Sequence, residues 1–315
     1  MKKVLLGCLG TVLLLAAILV GLIAYFGPEY NVYLFPPNPQ TYARSVIRKL
    51  DFGLYTSEDW ERQKAAALEK LKGAKSYQDT YPILKELTQQ AGGKHSYFYS
   101  PEENPEIGPE SQNQPQTENQ AGILYLKLPA FSGDLKAAGV YADKLAGALK
   151  KDDYQAVVLD LRDNTGGNMY PMLAGLSSLL PDEELFQFDY GNGSKTPVSR
   201  SEILSQSGLD STEEEPKEVP IAILVNDQTG SSGEMAALAF KGLENVKIFG
   251  QPTAGYTSGN QVYSLYDGAS LQLTTSRILD RTGKTYENEA ILPDVETEQP
   301  LEKAQGWLKE QLNTK

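Results

Sequence analysis

The first residues of the chain have the plainest pattern, because an apolar run follows two lysines. No charged residue lies in Val4–Phe26, which is 23 residues long. As an α-helix this run would measure about 34 Å, enough to cross a bilayer. Lys2 and Lys3 precede it, and positive charge before a span predicts that the following chain lies outside the cytoplasm. The pattern predicts a single-pass transmembrane anchor over residues 1–27, with an extracytoplasmic body at the cell membrane.

Two alternatives to a retained anchor stay open. A cleaved secretory signal usually has an apolar region of about 7–15 residues, shorter than this run, and no clear small-residue site follows Phe26. Lipidation of Cys8 is the second alternative, because Leu5-Leu6-Gly7-Cys8 resembles a lipoprotein cleavage box. The apolar run lies mostly after Cys8, so we interpret Cys8 as a lipid-facing residue. Since it is the one cysteine, an intramolecular disulfide is excluded.

Residues 28–120 divide into a helical part and a polar part. Apolar positions recur at helical spacing within 42–50, 60–71 and 77–90, which predicts a small N-terminal helical domain over 28–100. Residues 101–120 hold four prolines and five glutamates but no lysine or arginine. That composition is typical of a disordered linker or flap.

From residue 121 onward, apolar runs of strand length alternate with amphipathic stretches. This alternation predicts an α/β core over 121–315 that ends in a helix. We expect strands at 123–128, 156–161, 221–225 and 247–249, and helices at 135–149, 169–180, 232–243 and 301–312. Asp267-Gly268, between two further β segments, is a hairpin signal.

Composition and charge exclude several classes of function. Hydrophobic residues at 40% and charged residues at 22% are ordinary for a globular body. The net charge of −12 argues against a nucleic-acid partner, which needs a basic surface. With one histidine and one cysteine the chain lacks zinc-ligand spacing, and it has no G-x-x-x-x-G-K loop. We expect neither a metal nor a cofactor.

Ser231 lies at a predicted turn between a strand and a helix. The buried-strand run Ile221–Val225 is followed by a turn-rich break and then by a helical stretch that begins after Ser231. A serine on such a turn is well presented, and amides at a helix start can hold the oxyanion formed when it attacks a carbonyl. The alternative is a capping box in which Ser231 and Glu234 only cap the helix.

A glycine pair closes the strand that precedes Ser231 by about 65 residues. Leu159-Asp160-Leu161 ends in charged residues and then Gly166-Gly167, which lets backbone N–H groups approach a ligand closely. This block is one of five that resemble the C-terminal processing peptidases, in the family's order over about residues 92–296. The five are Gly93-Lys94-His95-Ser96, the strand with Gly166-Gly167, Thr229–Glu234, Gly250–Gly255 and Glu287–Asp294.

The resemblance implies a crotonase-like α/β peptidase core acting on a polypeptide substrate. It implies Ser231 as nucleophile and the amides of Gly167 and Ser232 as oxyanion hole. The Ser-Lys branch has a lysine where this chain has Tyr256, and an unperturbed tyrosine, with a pKa of about 10, is a poor base near neutrality. The interval where the family usually carries a PDZ domain holds only 101–120.

The chain is more similar to the tricorn core protease branch. That branch takes its base from the first block and a carboxylate from the last, which implies His95 as general base and Glu287 as the third member, with Glu289 a substitute. Tyr256 and Gly166 are then supporting residues. We predict a membrane-anchored extracytoplasmic serine endopeptidase. The alternatives are a catalytically silent binding protein, like the interphotoreceptor retinoid-binding proteins, and an acyl-CoA enzyme, which an acidic extracytoplasmic domain disfavours.

Overall fold

The structure is a computed structural model that describes residues 2–56, 58–104, 113–151, 153–207 and 216–313. The chain forms two compact units. We call Met1–Pro105 with Asn260–Thr275 the helical unit, and Glu106–Gly259 with Ser276–Lys315 the sheet unit. The sequence predicted a contiguous core from residue 121. In the structure Asn260–Thr275 instead belongs with the N-terminal helices.

The described helices are α1 (Lys2–Phe26), α2 (Pro39–Leu50), α3 (Trp60–Leu71), α4 (Tyr81–Gly92), α5 (Leu135–Leu149), α6 (Met169–Gly175), α7 (Arg200–Ser207), α8 (Ser232–Leu238) and α9 (Pro300–Asn313). The described strands are β1 (Tyr97–Tyr99), β2 (Gln116–Gln120), β3 (Ile123–Lys127), β4 (Ala156–Asp160), β5 (Glu184–Asp189), β6 (Lys195–Ser199), β7 (Ile221–Val225), β8 (Val246–Gly250), β9 (Ser258–Ser264), β10 (Ser270–Asp280), β11 (Thr285–Tyr286) and β12 (Val295–Glu296).

The helical unit packs α2, α3 and α4 around their apolar stripes. Val46, Leu50 and Leu84 are fully buried in its core. Helix α2 begins earlier than the apolar periodicity indicated, because the side chain of Asn38 accepts the Thr41 N–H at 2.8 Å and Pro39 fits a first helical turn. Within the residues described, no helix is both long enough and apolar enough to cross a membrane.

The predicted hairpin at Asp267-Gly268 is part of the helical unit. Strand β1 pairs antiparallel with the start of β10, so that Tyr97 lies opposite Gln272. The hydroxyls of Tyr42 and Tyr81 donate to the Asp267 carboxylate at 3.0 and 2.6 Å. These bonds tie the hairpin turn to α2 and α4.

The sheet unit is built on a six-stranded sheet in the order β12-β8-β7-β4-β3-β2. All its neighbours are parallel except the edge pair β2 and β3. Alternate residues of the central strands pack on two sides. Val157, Ile223 and the helices α5, α6 and α8 share one core, whereas Val158, Leu224 and α9 share another. The α/β prediction is confirmed; the crotonase-like likeness stays a prediction.

A smaller antiparallel set in the sheet unit was absent from the prediction. Strand β5 pairs with β6 and with the end of β10, where Ile278 lies opposite Phe188, and β11 pairs with β10 on Ile278–Leu279. The linker prediction for 101–120 also needs correction, because Gln116–Gln120 forms β2 and pairs with β3 along its whole length. Residues 105–112 of that segment lie outside the described part.

Candidate active site

Ser231 sits on a sharp turn between β7 and α8. Its backbone has φ +52° and ψ −117°, a conformation that a non-glycine residue adopts only when its surroundings impose it. The strand before the turn is fully buried, and the helix after it is buried along its described length. The turn therefore holds a partly exposed serine on rigid elements, as in a nucleophile elbow.

The carboxylate of Glu234 holds this turn from inside. It is fully buried and accepts four hydrogen bonds. The donors are the Ser231 N–H at 2.8 Å, the Gly255 N–H at 2.8 Å, the Tyr256 N–H at 2.8 Å and the hydroxyl of Thr253. Burial raises the pKa of Glu234 above its usual value, while these hydrogen bonds act in the opposite direction. One side chain thus joins the Ser231 turn to the loop after β8.

The glycine pair lies against Ser231. Gly166 has φ +114°, and a Cβ placed on it would be 2.7 Å from the Ser231 Cβ and 3.1 Å from the Ser232 nitrogen. Gly167 has φ +103° and packs so closely on the Phe131 carbonyl that a side chain has no room. The Ser232 hydroxyl donates to the Gly167 carbonyl at 2.5 Å. Both glycines are required by backbone conformation and by close approach.

Two backbone amides in this cluster are available to a ligand. Among the residues that the structure describes, no hydrogen bond engages the N–H of Gly167 or of Ser232. The adjacent amides are occupied: the Gly166 N–H donates to Asn164 Oδ1 at 3.0 Å, and the Ser231 N–H donates to Glu234. Available donors beside a serine are what an oxyanion hole requires.

Asn164 contacts both parts of the candidate site, although no sequence motif singled it out. It is fully buried, and its side chain donates to the Leu128 carbonyl at 3.1 Å while it accepts the Gly166 N–H. Its own carbonyl accepts the Gly230 N–H at 2.9 Å. It therefore joins the glycine loop to the nucleophile turn. The available signal was an Asx turn, in which an asparagine binds the amide two residues later.

Asp160 at the end of β4 organises the start of the same loop. Arg162 donates to its carboxylate through Nε at 2.9 Å and through an Nη at 2.6 Å, and the Tyr125 hydroxyl also donates to it. Burial acts to raise the pKa of Asp160, but the hydrogen bonds from Arg162 and Tyr125 outweigh it and hold that pKa below its usual value. The sequence motif around Asp160 did not by itself indicate this role.

Tyr256 and Glu287 also lie in the sheet unit. The ring of Tyr256 is beside the nucleophile turn, because a Cβ on Gly230 would lie 3.6 Å from its Cδ2. Glu287 is about a third exposed and pairs with Arg277 at 3.5 Å, which also faces Asp189 at 3.4 Å. Glu289 lies 3.9 Å from the Lys284 ammonium. The structure thus brings Ser231, Ser232, Gly166, Gly167 and Tyr256 together, and gives Glu287 an arginine partner.

His95 belongs to the helical unit, where it ends a short 3-10 turn over Gly93–His95. Its carbonyl accepts the side-chain amides of Gln272 at 3.0 Å and Asn260 at 3.3 Å. The residue is 5% exposed. Burial first, and the nearby Lys94 charge second, lower the pKa of His95 to about 4. Its imidazole is therefore neutral at pH 7 and able to accept a proton.

A serine on a strained strand-to-helix turn, with available amides beside it, defines a serine hydrolase of the acyl-transfer class. Comparison with known proteins narrows this class. Residues 122–297 match the model of peptidase family S41. The chain is 38% identical to the nisin-resistance protein of Lactococcus lactis subsp. lactis over 99% of its own length and 98% of that protein.

Two further comparisons agree with this match. The chain is 31% identical to the carboxy-terminal processing protease CtpA of Bacillus subtilis (strain 168) over 49% of its length, and that match spans 31% of CtpA. A solved lipoprotein from Streptococcus agalactiae superposes with a TM-score of 0.82 at 40% identity, covering 89% of this chain and 99% of the other. The chain belongs to peptidase family S41 and is a serine peptidase similar to the carboxy-terminal processing proteases.

Proposed function

We propose that the protein is a membrane-anchored, extracytoplasmic endopeptidase in which Ser231 attacks the scissile carbonyl. The observation that carries the proposal is the strained φ of +52° at Ser231 on a turn directly beside the glycine pair. A turn that only capped a helix would not need this conformation, since N-cap residues ordinarily adopt extended angles. The Ser231–Glu234 capping box is formed, but the strained angles beyond it support presentation of a nucleophile.

The oxyanion would be bound by the amides of Gly167 and Ser232. Their N–H groups are the ones in this cluster without a hydrogen bond in the described part of the chain. The bond from the Ser232 hydroxyl to the Gly167 carbonyl fixes the two residues to each other. A preorganised pair of donors stabilises the charge that develops on the carbonyl oxygen without reorganising during the reaction.

His95 is proposed as the general base. Being neutral at pH 7, it can take the Ser231 proton and later return it to the leaving amine. Glu287 is proposed to orient the imidazole, with Glu289 as its substitute. The contact between Glu287 and Arg277, at 3.5 Å, restrains the position of the carboxylate. Tyr256 is proposed to support the nucleophile turn through its backbone bond to Glu234 and its ring beside Gly230.

The anchor is proposed to be α1, which covers Lys2–Phe26. From residue 10 onward its apolar side chains are largely exposed, with Val12, Leu13 and Leu19 at 61, 62 and 58%. The likeness to a lipoprotein keeps lipidation of Cys8 as the competing route to the same membrane. Intact-mass analysis of membrane-extracted protein separates the two, because a retained anchor leaves the chain starting near Met1, whereas processing would leave a lipid-bearing Cys8 at its start.

The name of one relative makes nisin the first substrate to test. A peptidase of an acidic chain, with a net charge of −12, is electrostatically suited to a cationic peptide. We propose hydrolysis of nisin or of a similar peptide. Mass spectrometry of nisin incubated with the detergent-extracted full chain should reveal fragments. Intact nisin after long incubation would exclude this substrate without bearing on the peptidase class.

Labelling with a serine-reactive fluorophosphonate tests the mechanism. The wild type should be labelled, Ser231→Ala should not, and Ser201→Ala, which removes an exposed hydroxyl, should behave as wild type. His95→Ala should cost on the order of 10⁴ in turnover, and Tyr256→Phe far less. Absence of labelling in the wild type would favour the silent binding protein. Full activity of His95→Ala beside an inactive Tyr256→Phe would reassign the base.

A further inference from the structure

The segment that follows α1 exposes more apolar surface than a water-facing linker should. Tyr30 is 77% exposed, Val32 52%, Leu34 43% and Phe35 81%. Single exposed apolar residues are common, but four large ones within six positions concentrate apolar surface in one short segment. We call residues 30–35 the juxtamembrane segment.

This segment is fixed to the helical unit. The hydroxyl of Tyr33 donates to Ser45 of α2 at 3.1 Å, and its ring makes an edge contact with Tyr266 at 5.1 Å. Two residues past the segment, the hydroxyl of Tyr77 donates to the Pro37 carbonyl at 2.6 Å. The exposed side chains around Tyr33 are therefore displayed on the unit.

Helix α2 adds positive charge beside the segment. Arg44 and Arg48 are both exposed, and no carboxylate within the described ranges forms an ion pair with either. At 100° per residue, Arg44 and Arg48 lie about 40° apart around the axis of α2, and Phe52 follows four residues after Arg48. Ser45, which Tyr33 covers, borders this arc. Phe52, just past the end of α2, is 69% exposed.

We infer that the juxtamembrane segment and the arc of Arg44, Arg48 and Phe52 form one surface that docks the helical unit onto the bilayer. Aromatic side chains favour the headgroup level, and arginine there pairs with anionic lipid phosphates. The occupant is the membrane because the segment continues directly from α1. Charge complementarity also favours the membrane, since two arginines without an ion pair in the described part of the chain can bind anionic lipid although the net charge of the protein is −12. The inference rests on the proposed anchor.

The docking surface has a functional consequence. Net charge alone predicts that anionic lipid repels this chain, yet the surface would hold the helical unit, and with it His95, at the headgroup level. The protein would then meet its substrates at the membrane surface instead of reaching them on a mobile tether.

The test uses the full chain in lipid nanodiscs, with Cys8→Ala to remove the one thiol. A polarity-sensitive dye is attached to Phe35→Cys or to Phe52→Cys, and quenching by headgroup spin-labelled lipid is recorded in pure phosphatidylcholine and with increasing phosphatidylglycerol. The control is Lys309→Cys, an exposed position on α9. We expect blue-shifted, quenched dye at 35 and 52, and water-like emission at 309.

Charge variants sharpen the result. Arg44→Gln with Arg48→Gln should weaken docking on the order of twentyfold, so that half-maximal quenching needs more phosphatidylglycerol. Lys303→Gln with Lys309→Gln removes the same charge from α9, where both lysines are exposed, and should leave the midpoint unchanged. Thermal melts followed by circular dichroism check that each variant is folded.

The outcomes separate this inference from the function on which it rests. A chain that does not enter nanodiscs removes both the anchor and the docking surface. A chain that enters but leaves the dyes at 35 and 52 as exposed to water as the dye at 309 overturns the docking surface alone. An equal response to the two charge pairs overturns the role of the arginines. Fluorophosphonate labelling in the same samples reports the peptidase activity independently.

Discussion

The Ser231 turn of the sheet unit is held by a buried carboxylate, whereas the His95 turn of the helical unit is held by neutral amides. Glu234 accepts the Ser231 N–H, and Gln272 and Asn260 donate to the His95 carbonyl. In both cases the protein fixes the main chain of a residue that we propose to be catalytic. The two sets of hydrogen bonds differ in strength, because hydrogen bonds to a charged group are about twice as strong as neutral ones.

The stronger restraint lies where the backbone is strained. Ser231 has φ +52°, which costs on the order of 1–3 kcal/mol, whereas His95 lies in an ordinary 3-10 turn. A charged acceptor with four donors can offset that cost, and neutral amides suffice for an unstrained turn. We therefore expect substitutions around Ser231 to reduce activity far more than comparable substitutions around the His95 carbonyl.

Gly166→Ala is expected to have the largest effect. The new Cβ would lie 2.7 Å from the Ser231 Cβ, and the substitution would displace the nucleophile and an oxyanion donor together. We expect fluorophosphonate labelling to slow on the order of 10³-fold. Gly193→Ala is the control, because Gly193 also has a positive φ, +90°, but has open space around it. Similar labelling rates for the two variants would show that crowding at Ser231 is unimportant.

Glu234→Gln should have the next largest effect. The amide keeps the size of the side chain but offers one acceptor oxygen for donors that now fill two, so the turn loses part of its restraint. We expect labelling to slow on the order of 10²-fold. Glu298→Gln makes the same change on an exposed side chain that accepts from Gln251 and should have no effect. A fully active Glu234→Gln would leave the strain at Ser231 without its proposed support.

Gln272→Ala should have a modest effect on the histidine side of the comparison. It removes one neutral hydrogen bond to the His95 carbonyl, worth about 1 kcal/mol, so we expect turnover to fall about fivefold. Asn104→Ala removes a similar amide-to-carbonyl bond, to Gly268, in the same unit and serves as the control. A loss as large as that of Glu234→Gln would contradict the contrast between charged and neutral restraint.

The smallest effect concerns pH and the Lys94 charge. With the pKa of His95 lowered to about 4, kcat/KM should stay level below neutrality and fall only near pH 4. The same shift makes neutral His95 favour folding above pH 6.5, a contribution lost as pH falls from about 6.5 through about 4. Lys94→Gln should move the acid limb of activity to higher pH, since one cause of the lowered pKa is removed. An acid limb already near pH 6.5 in the wild type would contradict a buried base.

Regular elements were predictable because each carries its own periodicity. The limits of α3, α5 and β7 match the sequence prediction residue for residue, since apolar spacing and turn residues within each segment determine them. Short strands such as β1, β11 and β12 escaped it. These strands have only two or three residues, too few for an alternating pattern of apolar and polar positions to be recognised. Their pairing depends on strands elsewhere in the chain.

The sequence by itself determined the α/β core, the order of the motif blocks, and the placement of Ser231 and the glycine pair at the ends of two strands. Tertiary structure alone decided what those residues meet. Only folding brings Gly166 into contact with Ser231, 65 residues later in the chain. Folding also places the Thr253 hydroxyl within hydrogen-bond distance of Glu234, and it places the hairpin at Asp267 in the helical unit. Local pattern encodes which face of a segment is buried, but long-range contacts depend on the packing of the whole chain, which no single segment contains.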